Sequence, residues 1–136
     1  MQDILVNPYL FFKGNAREAM EFYKNIFGGE LTLNGYDDLP GPTQEGLEGK
    51  LMHADLRGGD ITLMASDTLQ ASDKAAKVTI SLSGDNEEKL TAIFNKLSDG
   101  VDVQFPLKKE AWGDTFGQLT DKYGVDWMVN ISAKKE

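Results

Sequence analysis

Cysteine is absent from this sequence of 136 residues, and histidine occurs only at His53. The absence of cysteine excludes disulfides, thiolate metal sites and cysteine nucleophiles. The single histidine excludes any metal site that needs two histidines from the chain. A chain without cysteine is typical of a reducing compartment, and we therefore expect a cytoplasmic protein.

Long apolar runs and an excess of basic residues are also missing. No apolar run approaches the roughly 20 residues of a membrane-spanning helix, and the first residues lack the apolar core of a secretory signal. The 14 Lys and Arg residues are outnumbered by 22 Asp and Glu residues, so the formal net charge is −8. A field of that sign repels phosphate backbones and anionic lipids, and we expect no nucleic-acid or membrane partner.

Several catalytic and nucleotide-binding motifs do not occur. The chain has neither a Gly-x-x-x-x-Gly-Lys-Ser/Thr loop nor a Gly-x-Gly-x-x-Gly turn, the motifs that hold nucleotide phosphates. It also has no Gly-x-Ser-x-Gly nucleophile elbow, so a serine hydrolase is not expected. The content of 40% hydrophobic and 26% charged residues is ordinary for one compact globular domain.

The N-terminal region contains one complete strand–helix pattern. Residues 9–12 form a short aromatic run that predicts a buried strand, and Gly14 permits a turn after it. Asn15 is expected to cap the next helix, with Glu18 completing a capping box. Gly28–Gly29 predicts the end of that helix. Its apolar stripe consists of Ala16, Ala19, Met20, Tyr23 and Phe27.

The same pattern occurs a second time, 70 positions later (85 − 15). Residues 78–82 predict a strand, Asp85 with Glu88 predicts a capped helix, and Gly100 predicts its end. A strand–helix unit that recurs at a constant spacing indicates an internal duplication.

Further strands complete each half of the chain. They are predicted at residues 30–36, 50–57 and 60–66 in the first half, and at 101–107, 112–120 and 125–132 in the second. Each half is therefore a β-α-β-β-β module, and the predicted fold class is α+β. We predict one domain over residues 1–136, with modules at about 4–67 and 77–132 and a linker at 68–76.

Short motifs along nearly the whole chain give a family resemblance. They are Pro8-Tyr-Leu-Phe-Phe, Asn15-Ala, Glu21-Phe-Tyr-Lys, Ile26-Phe-Gly-Gly, Leu51-Met-His-Ala, Gly59-Asp, Met64-Ala-Ser-Asp, Trp112-Gly, Phe116-Gly, Thr120-Asp and Tyr123-Gly-Val-Asp-Trp-Met. With two β-α-β-β-β modules, the chain resembles the vicinal oxygen chelate superfamily of glyoxalases, bleomycin-resistance proteins and extradiol dioxygenases. Within it, the chain resembles the PhnB-type branch, also labelled demethylubiquinone methyltransferase-like. The resemblance implies two curved half-sheets that form a cup with helices outside, and a homodimer.

The resemblance also implies where metal ligands would lie in the superfamily's metalloenzymes. Laid on this chain, the family pattern places Pro8 and Thr79 on the opening strands, and Leu63 and Met128 on the closing strands. These side chains are poor ligands for Ni²⁺, Zn²⁺ or Fe²⁺, so we expect no metal and no cofactor. His53 and Asp55 share a strand face, but one histidine with acids is a weak metal signal, and a hydrogen-bonded histidine is the alternative interpretation.

Strand alternation together with the resemblance predicts which residues line the cup. Leu10 and Phe12 are expected to face it, and Tyr9 and Phe11 to face the first helix. Trp127 alternates with apolar neighbours and is expected in the core. For the aromatic residues of the predicted site, ordinary core packing is the alternative. The predicted ligand-binding residues are Leu10, His53, Thr79, Ser81, Trp112, Phe116, Met128 and Asn130.

Three functions agree with these patterns. The first is metal-independent binding of a small apolar or aromatic molecule, oriented by His53 and Asn130 and held by aromatic contact. The second is a lyase or isomerase that uses His53 as its general base, with a weakly bound divalent ion as an option. The third is a structural or interaction role, with the cup filled by the protein's own side chains.

Overall fold

The computed structural model describes residues 7–68, 78–111 and 113–133. The chain forms two compact units, residues 1–75 and 76–136. Each unit has the element order β-α-β-β-β, with a 3-10 turn added in the first, and the predicted α+β class is confirmed. The elements of the first unit are β1 (Tyr9–Phe12), α1 (Ala16–Phe27), β2 (Glu30–Gly35), the 3-10 turn (Tyr36–Asp38), β3 (Leu51–Arg57) and β4 (Leu63–Asp67). Those of the second are β5 (Thr79–Gly84), α2 (Glu87–Leu97), β6 (Phe105–Lys109), β7 (Thr115–Thr120) and β8 (Asp126–Ile131).

Strands β4, β6 and β7 begin three or four residues later than their sequence patterns predict, and for β4 and β6 the hydrogen bonds show why. Strand β4 was expected from residue 60, but the backbone N–H of Asp60 donates to the carbonyl of Phe27 (3.1 Å) at the end of α1. Strand β6 was expected from residue 101, but the backbone N–H of Val101 donates to the carbonyl of Ser98 (3.2 Å). In both cases the backbone groups bond to the end of a helix rather than to a neighbouring strand.

The first sheet has the strand order β1-β4-β3-β2. Strands β1 and β4 are parallel, whereas β3 is antiparallel to both β4 and β2. The register places Leu10 beside Ala65 and Ala54 in one row, and Tyr9 beside Met64 and Asp55 in the next row. Because side chains of successive rows point to opposite faces, these two rows belong to different faces of the sheet.

Helix α1 covers the face that carries Leu10. Its apolar residues repeat at helical spacing, and it lies against β2, β3 and β4. On the sheet, Ala54 and Ala65 are fully buried beneath it. The small alanine side chains leave room for the larger residues of the helix. The other fully buried residues of this core include Ala16, Ala19, Met20, Tyr23, Leu56 and Leu63.

The N-terminus of α1 is capped by a residue from the end of β4. Asn15 makes no side-chain hydrogen bond as a cap, so the predicted capping box is wrong. Asp67 Oδ1 instead accepts from the backbone N–H groups of Gly14 (3.0 Å) and Ala16 (2.9 Å), and its Oδ2 accepts from that of Leu51 (2.9 Å). The Asp67 side chain is buried, and its negative charge lies at the positive end of the helix dipole.

We predict that Asp67→Ala lowers the free energy of unfolding by about 3 kcal/mol, because three backbone N–H groups lose a charged acceptor in a buried place. Urea denaturation of the full chain measures the change. Asp99→Ala is the control, since Asp99 is exposed and pairs with Lys122 at 3.6 Å on the surface, and it should change stability by less than about 1 kcal/mol. Equal losses in the two variants would contradict the assigned role of Asp67.

The second sheet has the corresponding order, β5-β8-β7-β6, with β5 parallel to β8. Helix α2 lies against β5 and β8. Its N-cap is Asn86, whose side chain accepts from the backbone N–H of Lys89 (3.0 Å), so the predicted cap at Asp85 is off by one residue. The N-cap position therefore supplies its own side-chain bond in α2, whereas α1 relies on a distant strand.

Trp127 is fully buried in the second unit, as its alternation pattern predicted. Its indole N–H donates to Asp121 Oδ2 (2.8 Å). Asp121 Oδ1 accepts from the backbone N–H groups of Tyr123 (2.8 Å) and Val125 (3.1 Å), which closes the turn between β7 and β8. One buried carboxylate therefore satisfies the tryptophan and fixes the turn that precedes it.

Candidate functional site

The face of the first sheet opposite α1 carries aromatic and titratable side chains together. We call this surface the first open face and define it by Tyr9, Phe11, His53, Asp55 and Met64. The in-register row of Tyr9, Met64 and Asp55 establishes the face, and alternation adds Phe11 and His53. The prediction that His53 and Asp55 share a face is confirmed.

Tyr9 and His53 form a contact across this face. Tyr9 Oη lies 3.0 Å from His53 Nδ1, and the two ring centroids are 5.6 Å apart. The Phe11 ring lies on the other side of Tyr9, with a centroid distance of 5.0 Å. Tyr9 is 39% exposed and Phe11 is 62% exposed, so both rings present surface to solvent. The first open face therefore combines an aromatic surface with a polar edge.

The predicted faces of β1 are wrong. Tyr9 and Phe11 were expected to face the helix, but they lie on the first open face, and Phe12 is buried on the helix side. Leu10 was predicted to bind ligand, but it shares its row with the fully buried Ala54 and Ala65. A strand that is apolar on both faces has no alternation, so its sequence does not reveal which face is which.

Asp55 connects His53 with a cation. Asp55 Oδ1 accepts from Arg57 Nε at 2.7 Å, and Asp55 Oδ2 lies 3.8 Å from His53 Nε2. The carboxylate of Asp55 therefore forms a short hydrogen bond with the guanidinium of Arg57 and a longer electrostatic contact with the imidazole of His53. This arrangement orients the imidazole with Nδ1 toward Tyr9 and Nε2 toward Asp55.

Five of the predicted ligand-binding residues lie on the corresponding face of the second sheet, which we call the second open face. The register pairs Ser81 with Met128, and Phe116 with Asn130, while Thr79 precedes Ser81 by one alternation. Phe105 belongs to the same face through its pairing with Gln118 and is 58% exposed, but no sequence signal had marked it. The second open face consists of Thr79, Ser81, Phe105, Phe116, Met128 and Asn130. Trp112 lies outside the described residues.

Asn130 is held by an aspartate at the start of β7. Its Nδ2 donates to Asp114 Oδ2 (3.1 Å), and the backbone N–H of Ala133 donates to Asp114 Oδ1 (3.2 Å). The hydrogen bond from Asn130, and then that from Ala133, hold the pKa of the Asp114 carboxyl below its usual value. Both bonds favour the ionised form of Asp114, and this carboxylate orients the side chain of Asn130.

We predict that Asn130→Ala raises the pKa of Asp114 toward its usual value, because the largest stabilising bond to the carboxylate is lost. Carboxyl chemical shifts followed against pH measure this change. Asp37 is the internal control: its pKa is lowered by bonds from Thr43 and Gly49 in the first unit, and it should titrate as in the unchanged protein. An unaltered Asp114 titration would contradict the assigned hydrogen bond.

The positions that the superfamily uses for metal ligands do not fit a divalent ion in this chain. Leu63 is buried in the core, Pro8 has no donor side chain, Met128 offers only a soft thioether, and Thr79 offers a single hydroxyl. Within residues 7–68, 78–111 and 113–133, no group of three His, Asp or Glu side chains could hold a metal ion. His53 has a phenol and one carboxylate as polar neighbours, which is not a metal-binding set.

A cleft beside the N-terminus of α1 is lined by polar groups that bond to the protein itself. It is lined by Lys13, Gly14, Gly46, Leu47, Lys50, Asp67 and Thr68. Asp67 takes the backbone N–H groups of the helix, and Lys50 Nζ donates to the carbonyl of Gly14 (3.2 Å). The cleft is therefore part of the helix cap. Among the described residues, no helix is long and apolar enough to cross a membrane.

Comparison with known proteins assigns the class. The model of the Glyoxalase/Bleomycin resistance protein/Dioxygenase superfamily matches residues 5–129. The chain belongs to this superfamily.

Solved structures then place the chain in the PhnB-type branch. The protein PA1353 from Pseudomonas aeruginosa is 38% identical, with a TM-score of 0.83 over 97% of this chain and 100% of that chain. The PhnB protein from Bacillus cereus is 28% identical, with a TM-score of 0.74 over 96% of this chain and 100% of that chain. A bleomycin-binding protein solved with bleomycin has a TM-score of 0.57 at 16% identity, over 95% of this chain and 98% of that chain, and is similar in fold alone.

Proposed function

We propose that this PhnB-type protein binds a small apolar or aromatic molecule, without a metal ion, through the open faces of its sheets. The observation that carries the proposal is the exposed pair of neighbouring, mutually tilted rings, Tyr9 and Phe11, beside the polar edge of His53. The proposed contacts on the first open face are His53, Tyr9 and Phe11. The second open face is a separate candidate surface, with Thr79, Ser81, Phe105, Phe116, Met128 and Asn130 as its contacts. Trp112 stays a prediction from sequence, and Leu10 is left out of the proposed contacts because it shares a row of the sheet with the buried Ala54 and Ala65.

The energetic support is the exposed aromatic area. Each Å² of apolar surface removed from water contributes about 25 cal/mol, so two exposed rings can stabilise a flat ligand that covers them. Soluble proteins rarely leave large side chains grouped at the surface without an interaction partner. The grouping of Tyr9 and Phe11 on one short strand therefore favours binding over simple core packing.

The fold offers a precedent for this function. The bleomycin-binding protein holds a small molecule on the same fold without close sequence similarity to this chain. A shared fold does not transfer a ligand, so the proposal rests on the side chains of this chain. We also propose that the protein is a cytoplasmic homodimer. Light scattering in solution tests the oligomeric state, and a monomeric mass would reject the dimer.

The second candidate function is catalysis by His53 as a general base. It is favoured by the Tyr9 contact at Nδ1 and the carboxylate of Asp55 near Nε2, an arrangement that orients the imidazole. Loss of turnover in His53→Ala would support it, whereas full turnover of a substrate in that variant would reject it.

We predict that small aromatic compounds shift the backbone NMR signals of the first open face, and that Phe11→Ser weakens their binding roughly fivefold. The loss of one aromatic contact is worth about 1 kcal/mol, which gives this factor. Titration of the ¹⁵N-labelled full chain measures both quantities. Leu39→Ser removes an exposed apolar side chain from the loop after β2 and should leave binding unchanged. Shifts confined to other surfaces would reject the proposed site.

We further predict that added Ni²⁺, Zn²⁺, Mn²⁺ or Fe²⁺ leaves the melting temperature unchanged, because the site residues do not form a metal-binding set. An ion that did bind only the native state would raise the melting temperature. Differential scanning calorimetry of the protein with each ion checks this. One bound ion per chain together with a clear rise in melting temperature would contradict metal-independent binding.

A further inference from the structure

We propose that the first open face selects a flat ring that carries a hydrogen-bond donor, of the phenol type, and that the oxygen of Tyr9 is its acceptor. The inference rests on the proposed binding function and adds the chemical class of the ligand. It follows from which atoms of Tyr9 and His53 donate a hydrogen and which accept one in the presence of the Asp55 carboxylate.

In the neutral form of His53, the charge of Asp55 determines which ring nitrogen carries the hydrogen. The carboxylate oxygen of Asp55 lies 3.8 Å from Nε2, whereas the partner of Nδ1 is the hydroxyl of Tyr9. A nearby negative charge favours the tautomer with its hydrogen on the facing nitrogen. Nε2 is therefore protonated, and Nδ1 offers a lone pair.

The hydroxyl hydrogen of Tyr9 is then used in a hydrogen bond to His53. Because Nδ1 has no hydrogen in this tautomer, the 3.0 Å contact requires that the phenol O–H donates to it. The oxygen of Tyr9 keeps its lone pairs for a second partner. Donation to an imidazole that is itself polarised by a carboxylate makes that oxygen a better acceptor.

Selectivity follows from what the Tyr9 oxygen can accept. A ligand hydroxyl can donate to it and gain a hydrogen bond. A ligand that presents only an ether oxygen at the same place brings its lone pairs against those of the Tyr9 oxygen. Neither oxygen then has a hydrogen-bond donor, which is unfavourable once water is displaced.

The flanking residues define the shape and charge of the ligand. The Phe11 ring lies beside Tyr9 at a tilt of 32°, and Met64 lies next to Tyr9 in the same row of the sheet, so the donor group of the ligand is bordered by apolar surface. Arg57 is bonded to Asp55 at 2.7 Å, and this pairing offsets the positive charge that would otherwise favour a carboxylate ligand. A neutral, planar ring with one hydroxyl fits these features.

Phenol and anisole form a matched pair that tests the inference, because anisole carries a methyl group in place of the donated hydrogen. We expect phenol to bind the ¹⁵N-labelled full chain about fivefold more tightly than anisole, the effect of one net hydrogen bond of about 1 kcal/mol. NMR titration reports the affinity and the residues that shift.

Tyr9→Phe keeps the ring and removes the acceptor, so the two affinities should become equal. Tyr36→Phe is the matched control. It removes the hydroxyl that donates to the carbonyl of Asp67 (2.8 Å) elsewhere in the same unit, and it should retain the preference for phenol.

The outcomes separate this inference from the proposed function. If neither compound shifts the first open face, both are overturned. If the two compounds bind there with equal affinity, or if the preference for phenol survives in Tyr9→Phe, the donor selectivity is overturned and the binding function stands. A preference that is present in the unchanged protein and in Tyr36→Phe, but lost in Tyr9→Phe, supports the inference.

Discussion

The carboxylate of Asp67 joins three segments of the first unit, since it accepts from backbone N–H groups in the turn before α1, in the first residue of α1 and at the start of β3. Its own backbone carbonyl accepts from the hydroxyl of Tyr36. A buried carboxylate is stable only when such donors offset the loss of hydration. The position of the helix over the sheet and the end of β4 therefore depend on one side chain.

The first open face depends on this arrangement. Asp67 is the partner of Phe12 in the register of β1 and β4, and the same register places Tyr9 beside Met64 and in the row of Asp55. Once α1 covers the face that carries Leu10, the alternate residues of β1 must turn to the opposite face. The register of β1 with β4 therefore places Tyr9 on the face that carries His53.

The second unit repeats the plan with different local interactions. Asn86 caps α2 with its own side chain, and the buried carboxylate, Asp121, is found in the turn between β7 and β8. The position that corresponds to Tyr9 after 70 residues is Thr79, which has no ring to contribute. The two units therefore share their architecture but carry different side chains on their open faces, and the exposed aromatic pair beside a histidine belongs to the first unit.

The sequence by itself determined the duplicated β-α-β-β-β plan, the superfamily and the buried Trp127, because hydrophobic periodicity, glycine turns and short motifs are local. It also excluded thiolate and multi-histidine metal sites by composition alone. The tertiary structure decided the cap of α1 and the faces of β1. Asp67 is 52 positions from Asn15 (67 − 15), and a strand with apolar residues on both faces carries no period that marks the side under the helix. The pairing of β1 with β4 and the packing of α1 settled both, and they brought Tyr9 to His53 instead of into the core.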